Sequence, residues 1–290
     1  MLASYLDEYS KVNKRSYRND LAMAVRLRRE FAGKTLQEIS TQDVERVKAK
    51  LAQDLAPATV NLHLALLKHV YTKAMEWGKA NENPAKPVKF FRANNARVRY
   101  LTEEEEARLE AVFPPEHWSK VGVAIHTGLR RGQQFNLRWS DVNFRTGVLM
   151  VPRSKHGEAR HVPMNDRVTE ALRSLPTRVK GPYVFPAKTN ETPLNPNNFV
   201  NRVWKPALRA AAIQGFRWHD LRHTFASRLG MAGVDLRTVQ ELMGHKTITM
   251  TLRYAHLSPS HQRESVQRLV RNSTATRTAT GQMAANAEQS

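Results

Sequence analysis

Two stretches near the C-terminal end decide the fold: WHDLRHTFAS at 218–227 and LMGHKTITMTLRYAH at 242–256. The first sets His219 three residues before Arg222, a spacing that shares one face of a helix. The second sets His245 directly after Gly244, with Tyr254 nine residues further on. Working back toward the N-terminus, HTGLRRGQQFNLRW at 126–139 contributes Arg130, and PRSKHGEARHVPM at 152–164 contributes Lys155. The set holds two guanidiniums, two imidazoles, an ammonium and a phenol.

Phosphoryl transfer calls for such groups. Its transition state gathers negative charge on the non-bridging oxygens, and arginine offers a planar, permanently charged fork that matches them. A phenol becomes a nucleophile once its proton is taken, and imidazole suits that task near neutral pH. The 5′ oxygen that leaves needs a proton, which Lys155 can supply. Fixed cations replace a metal, and the chain shows no tight carboxylate cluster to hold one; no cofactor is expected. Taken singly, each residue has an ordinary reading. Arg130 is a surface arginine near a helix end, and Lys155 a solubilising lysine in a hairpin turn. His245 is a satisfied structural histidine, Tyr254 a half-buried packing residue, and one H-x-x-R is expected by chance in a chain with 11 His.

The whole composition narrows the partner. The net charge is +20 over 290 residues: +6 in 1–90, +13 in 91–270 and +1 in the last twenty. Basicity spread through both halves points to a polyanion rather than to a charged tail. The absence of cysteine excludes disulfides, thiolate zinc sites and thiol nucleophiles. No apolar run approaches the length of a membrane span and no signal peptide is apparent, so no membrane partner and a cytoplasmic location are expected.

Residues 1–82 read as a small helical domain. Leu21, Val25, Leu27 and Phe31 form a broad stripe that ends at Gly33; Ser40 and Thr41 offer caps; Pro57 opens a long helix closed by Gly78. NENPAKPVKFFRANNARVR at 81–99 breaks the pattern, and a basic linker is placed at 83–99. Residues 100–270 form the second domain. Thr102 caps a helix with four acidic residues in its first turn. Helices are predicted near 117–127, 131–138, 166–175, 196–212 (with Pro206 as a break), 219–230, 235–243 and 247–256. Strands are predicted at 142–144, 147–151 and 160–164, and one more amphipathic helix at 258–270. Residues 271–290 lack periodicity and read as a disordered tail.

TGLRRG, HDLRHTFAS and LMGHKTITMTLRYAH, in this order and spacing, closely resemble the tyrosine recombinase (phage integrase) family, over nearly the whole chain. The resemblance implies a mainly α fold with a small antiparallel β-sheet: a helical core-binding (SAM-like) domain plus an α+β catalytic domain, closed as a C-shaped clamp on double-stranded DNA. It implies that Arg130 and Arg222 clamp the scissile phosphate and that His219 assists proton removal from Tyr254 or binds the phosphate. Lys155 would be general acid, His245 a further phosphate donor, and Tyr254 the nucleophile that forms a 3′-phosphotyrosine link. Arg153 and His156 lie close enough in sequence to be confused with Lys155. It further implies a homo-tetramer on DNA, a docking segment at 258–270, accessory DNA-bending proteins and a bacterial, nucleoid-associated setting. Integration or excision of a mobile element is the first reading, resolution of chromosome or plasmid dimers the next. Gln133 departs from the pattern, since an acidic residue is common there; weaker anchoring of Arg130 is expected. The extra N-terminal domain of larger members has no room ahead of a helical domain starting near Met1, so the chain reads as a simpler recombinase or as a fragment. Two alternatives stay open: a type IB topoisomerase-like relaxing enzyme, and a DNA-binding regulator without catalysis.

Overall fold

The computed structural model describes residues 1–92, 98–152 and 159–257. The chain divides into two compact units, Met1–Asn95 and Ala96–Ser290.

In the first unit, residues 2–13 form α1, with Tyr5–Ser10 wound as a π-helix. Helices α2 (Tyr17–Glu30), α3 (Thr41–Asp54) and α4 (Pro57–Glu76) follow. Ser40 caps α3 reciprocally with Asp43, and Pro57 occupies the first turn of α4, where its missing N–H removes no helical bond. Val44, Val47 and Leu51 face the core as the spacing predicts. The stripe on α2 is the predicted one only in part: Leu27 is buried and Phe31 packs against the core, but Asp20 and Ala24 complete the inner face, while Leu21 and Val25 are 44% and 69% exposed. The Asp20 carboxylate accepts from Ser10 Oγ at 2.8 Å and Lys14 Nζ at 3.1 Å. Those bonds hold a polar residue on the inner face and turn two aliphatics outward.

The segment read as a linker begins as part of this unit. Asn83 Nδ2 donates to the Lys68 carbonyl at 3.0 Å, and Lys68 Nζ donates to the Val88 carbonyl at 2.7 Å. The Asn61 amide pairs with both backbone groups of Phe91, and Ala85 and Val88 are buried.

The second unit opens on Thr102, which caps α5 (Glu103–Val112) reciprocally with Glu105. Helices α6 (Pro115–Thr127) and α7 (Arg131–Phe135) lead to a three-stranded antiparallel sheet of β1 (Val142–Asn143), β2 (Val148–Val151) and β3 (Arg160–Pro163). Leu149 pairs with Val162 and Val151 with Arg160. Leu149, Val151 and Val162 share the buried face, whereas Met150 and His161 point outward. Helix α8 (Asp166–Arg173) packs over that sheet core with Val168 and Leu172. Residues 196–210 form α9, and the predicted break at Pro206 is absorbed: Val200–Trp204 widens into a π-helix just before it, and Lys205–Ala210 continues as α-helix. A wider turn relieves the clash and lost bond that proline imposes inside a helix. Helices α10 (Asp220–Met231) and α11 (Leu236–Met243) complete the unit. The stretch predicted as a helix at 247–256 is two 3-10 turns, Ile248–Met250 and Leu252–Leu257, closed by bonds such as Tyr254 N–H to the Thr251 carbonyl at 2.9 Å. Ile248, Thr249 and Thr251 are β-branched and favour α-helix weakly. The predicted helix at 258–270 and the tail lie outside the described residues.

Candidate active site

His219, the N-cap of α10, is followed by Arg222, His223 and Ala226, at offsets of three, four and seven residues. These offsets put all four on one helix face. That face lies against α6 and α11, and Arg222 is 3% exposed and Ala226 fully buried.

Two glycines shape the wall opposite. Gly128 ends α6 and Gly244 ends α11, both left-handed, at φ 58° and φ 60°. A Cβ on Gly128 would lie 2.4 Å from the Phe225 ring, and one on Gly244 would lie 2.3 Å from Arg160 Nη1. Left-handed termini leave helix carbonyls without helical partners, and here arginines take them. Arg222 donates through Nη1 to the Gly128 carbonyl and through Nη2 to the Met243 carbonyl. Arg130, just after α6, donates through Nη2 to the Gly244 carbonyl at 3.1 Å. The negative ends of two helices thus hold two guanidiniums. Neither guanidinium pairs with a carboxylate among the described residues. Each has five donors, so most remain for another acceptor. Burial, then Arg130 and Arg160, pushes Arg222 down to about 9; burial also lowers Arg130.

Tyr254 is 1% exposed, packed with Ala226, Val239 and Met243. Its hydroxyl lies 2.6 Å from His223 Nδ1. Burial pushes the phenol up to about 12 against the opposing pull of Arg222 and Arg253. Burial, then His219, Arg253 and Arg222, pushes His223 down to about 4. The imidazole is therefore neutral near pH 7, and its Nε2-protonated tautomer presents Nδ1 as an acceptor to the phenol. His219 stands edge-on to His223, ring centroids 5.1 Å apart, and is lowered by burial and then by Arg222. His245 Nδ1 shares a 2.9 Å hydrogen bond with the buried Thr251 hydroxyl. Thr251 also carries the carbonyl that accepts from Tyr254 N–H, so one residue links the imidazole to the phenol's turn. Burial and the surrounding arginines, Arg222 first, push His245 down to about 3.

Five of the six residues singled out in the sequence thus meet in one place: Arg130, His219, Arg222, His245 and Tyr254. Lys155 lies outside the described residues, as do Arg153 and His156. Gln133 accepts through its amide oxygen, but from the main chain of Arg130 and not from its fork. Its Oε1 accepts from the Arg130 backbone N–H at 3.1 Å, while the guanidinium is anchored on Gly244. Two residues were missed. His223, not His219, reaches the phenol; its place directly after Arg222, on the same helix face, was the available signal. Arg160 was the other, and its signal was the strand register, which sends it to the same face as Val151 and Val162. Among the described residues there is no group of three or more His, Cys, Asp or Glu that could hold a metal, and no helix long and apolar enough to cross a membrane.

Residues 96–261 match the phage integrase family and residues 4–78 match the N-terminal SAM-like domain of phage integrases. The chain is 32% identical to the integrase of Salmonella phage P22 over 74% of its own length, and it spans 58% of that protein. It is 31% identical to tyrosine recombinase XerA of Pyrococcus furiosus, covering 84% of this chain and 87% of the relative. A lambda integrase dimer bound to a COC′ core site superposes with a TM-score of 0.73 at 23% identity, covering 87% of this chain and 94% of that one. A lambda integrase tetramer bound to a Holliday junction gives 0.71 at 23% identity, covering 86% and 78%.

Proposed function

Since the chain belongs to the phage integrase family of tyrosine recombinases, we propose that it cleaves and rejoins double-stranded DNA through Tyr254, as the integrase of a mobile element. The observation that carries this reading is the Tyr254 hydroxyl set on a neutral His223, beside guanidiniums that have no carboxylate partner among the described residues.

Arg130 and Arg222 hold the non-bridging oxygens of the scissile phosphate with the donors their carbonyl anchors leave free. Preorganised donors of this kind stabilise the charge that develops in the transition state. Tyr254 Oη attacks phosphorus, and its proton passes to His223 Nδ1. With the phenol near 12 and the imidazole near 4, no phenolate accumulates beforehand; proton transfer accompanies bond formation. The phosphorus–O5′ bond breaks, leaving a 3′-phosphotyrosine and a 5′-hydroxyl, and Lys155 is the general acid for that oxygen. His219 and His245 turn to the phosphate. Attack by the 5′-hydroxyl of a partner strand reverses the step and frees Tyr254, with no external energy source. Charge of +20 supports phosphate-dominated binding that weakens with salt. The lambda integrase dimer and tetramer on DNA support assembly of four protomers here, with residues 1–82 and 100–270 as the DNA-binding and catalytic domains.

The test is a nicked duplex carrying the candidate attachment site, sought in DNA flanking the gene, incubated with wild-type and Tyr254→Phe protein and run on a denaturing gel. A covalent protein–DNA band from wild type alone is expected. Retarded DNA on a native gel with no covalent band from either protein would favour a binding-only regulator. Relaxation of supercoils without exchange between duplexes would favour a topoisomerase.

A further inference from the structure

A third guanidinium enters the same pocket from the sheet. Arg160 opens β3 and pairs with Val151, so the alternation of the strand sends it to the face where Val151 and Val162 are buried. An arginine on an inward face ordinarily finds a carboxylate or carbonyls. Arg160 does not: its Nε and Nη2 are buried without a hydrogen-bond partner among the described residues, and it makes no salt bridge among them. Nη1 sits over Gly244, whose carbonyl already anchors Arg130. Burial and then Arg130 push Arg160 down to about 10, and its charge is also felt by Arg222 and His245.

Three guanidiniums therefore converge on residues 243–244, with no carboxylate paired to them among the described residues. Like charges gathered out of water are unfavourable unless an anion joins them. Arg130 and Arg222 each spend donors on helix-end carbonyls; Arg160 spends none that the described residues show. A residue serving only to pack Gly244 would have no need of a charged fork there.

We propose that Arg160 is a further catalytic residue, a third arginine that donates through Nε and Nη2 to a non-bridging oxygen of the scissile phosphate. This rests on the phosphotyrosine reading above. It also assigns the β-hairpin a second role beyond carrying Lys155: one strand residue delivers charge to the phosphate itself.

The experiment compares wild type, Arg160→Ala and Arg160→Lys on two nicked duplexes. One has an ordinary scissile phosphate. In the other a methylphosphonate replaces it, exchanging one charged non-bridging oxygen for a methyl group. On the phosphate, Arg160→Ala is expected to form adduct about 100-fold more slowly, the usual scale for losing one preorganised donor to an oxyanion. Duplex affinity should stay within about three-fold, since one contact among many changes. On the methylphosphonate the deficit is expected to shrink to under about ten-fold, because the charge that Arg160 offsets has gone. Arg160→Lys keeps the charge but not the fork, and should show a smaller deficit with the same shrinkage; it carries the test if the alanine variant melts early. An equal deficit on both substrates would overturn the proposal and make Arg160 a structural strut, and so would adduct formation at the wild-type rate. Failure of the underlying reading looks different: wild type itself would form no adduct, or Tyr254→Phe would form one.

Discussion

The two units bury polar groups in opposite ways. In the first, buried carboxylates and phenols are answered from within, although Arg26 Nη1 is buried without a partner among the described residues. Asp20 binds Ser10 and Lys14, and Tyr5 binds His69 at 2.9 Å and Lys14 at 2.6 Å. Asp43 is bonded to Ser40 and paired with Lys34 at 2.7 Å, and Tyr71 donates to the Leu36 carbonyl at 3.0 Å. In the second, Arg222, Arg130 and Arg160 find carbonyls or nothing. Polarity that closes on itself fixes a fold. Polarity left open is shaped for a ligand, and here the opening is positive, the complement of a phosphate.

The sharpest way to break this contrast is to disturb one member on each side. Arg222→Lys removes the fork and keeps the charge; adduct formation is expected to fall by about 100-fold or more while duplex binding persists. Asp20→Ala should do the reverse. It leaves Ser10 without its acceptor and Lys14 with the Tyr5 hydroxyl but no carboxylate, which costs about 2 kcal/mol of stability, seen as a lower melting temperature, with the rate of adduct formation by bound enzyme unchanged. If Asp20→Ala slowed chemistry as much as Arg222→Lys, the division between structural and functional polarity would be wrong.

His223 tests the contrast by acidity. His223→Gln is expected to slow cleavage by about 100-fold, the lower end for loss of a positioned proton acceptor. It should also flatten the acid limb of stability. In the unfolded chain this imidazole takes up a proton near 6.5, whereas in the fold burial holds it neutral until about 4. The unfolded state therefore binds more protons between those values. Stability should be undiminished above pH 6.5 and fall as pH drops from 6.5 toward 4, more steeply for wild type than for the variant. Equal slopes in thermal melts across that range would remove His223 from the account.

The smallest expected effect is at Gly244. Gly244→Ala must hold a left-handed conformation and crowd Arg160. We expect a loss of about 1–2 kcal/mol and adduct formation slowed about ten-fold through displaced arginines. Gly33→Ala, also at positive φ but with open space around it, should lose stability alone.

Much of this was legible in the sequence because it rests on local chemistry. Ser40 and Thr102 cap where their hydroxyls predict, and the order of Arg130, His219, Arg222, His245 and Tyr254 is read directly. What escaped depends on neighbours distant in sequence. The inner face of α2 is chosen by Asp20 reaching Ser10 and Lys14, against the pull of Leu21 and Val25. The phenol's partner is His223 because the 3-10 turns at 248–257, rather than a full helix, aim Tyr254. Arg160 is legible only once the pairing of β2 with β3 is known.

The Gly244 carbonyl that anchors Arg130 belongs to the main chain, and this has a consequence for substitution. A side-chain tether can be deleted by one codon change; a peptide oxygen cannot. With the guanidinium secured that way, position 133 holds the backbone N–H of Arg130 rather than its fork, a task that an amide oxygen can perform. A substitution at 133 that keeps a side-chain acceptor leaves the anchor of the Arg130 guanidinium in place, whereas a shift at the end of α11 moves it.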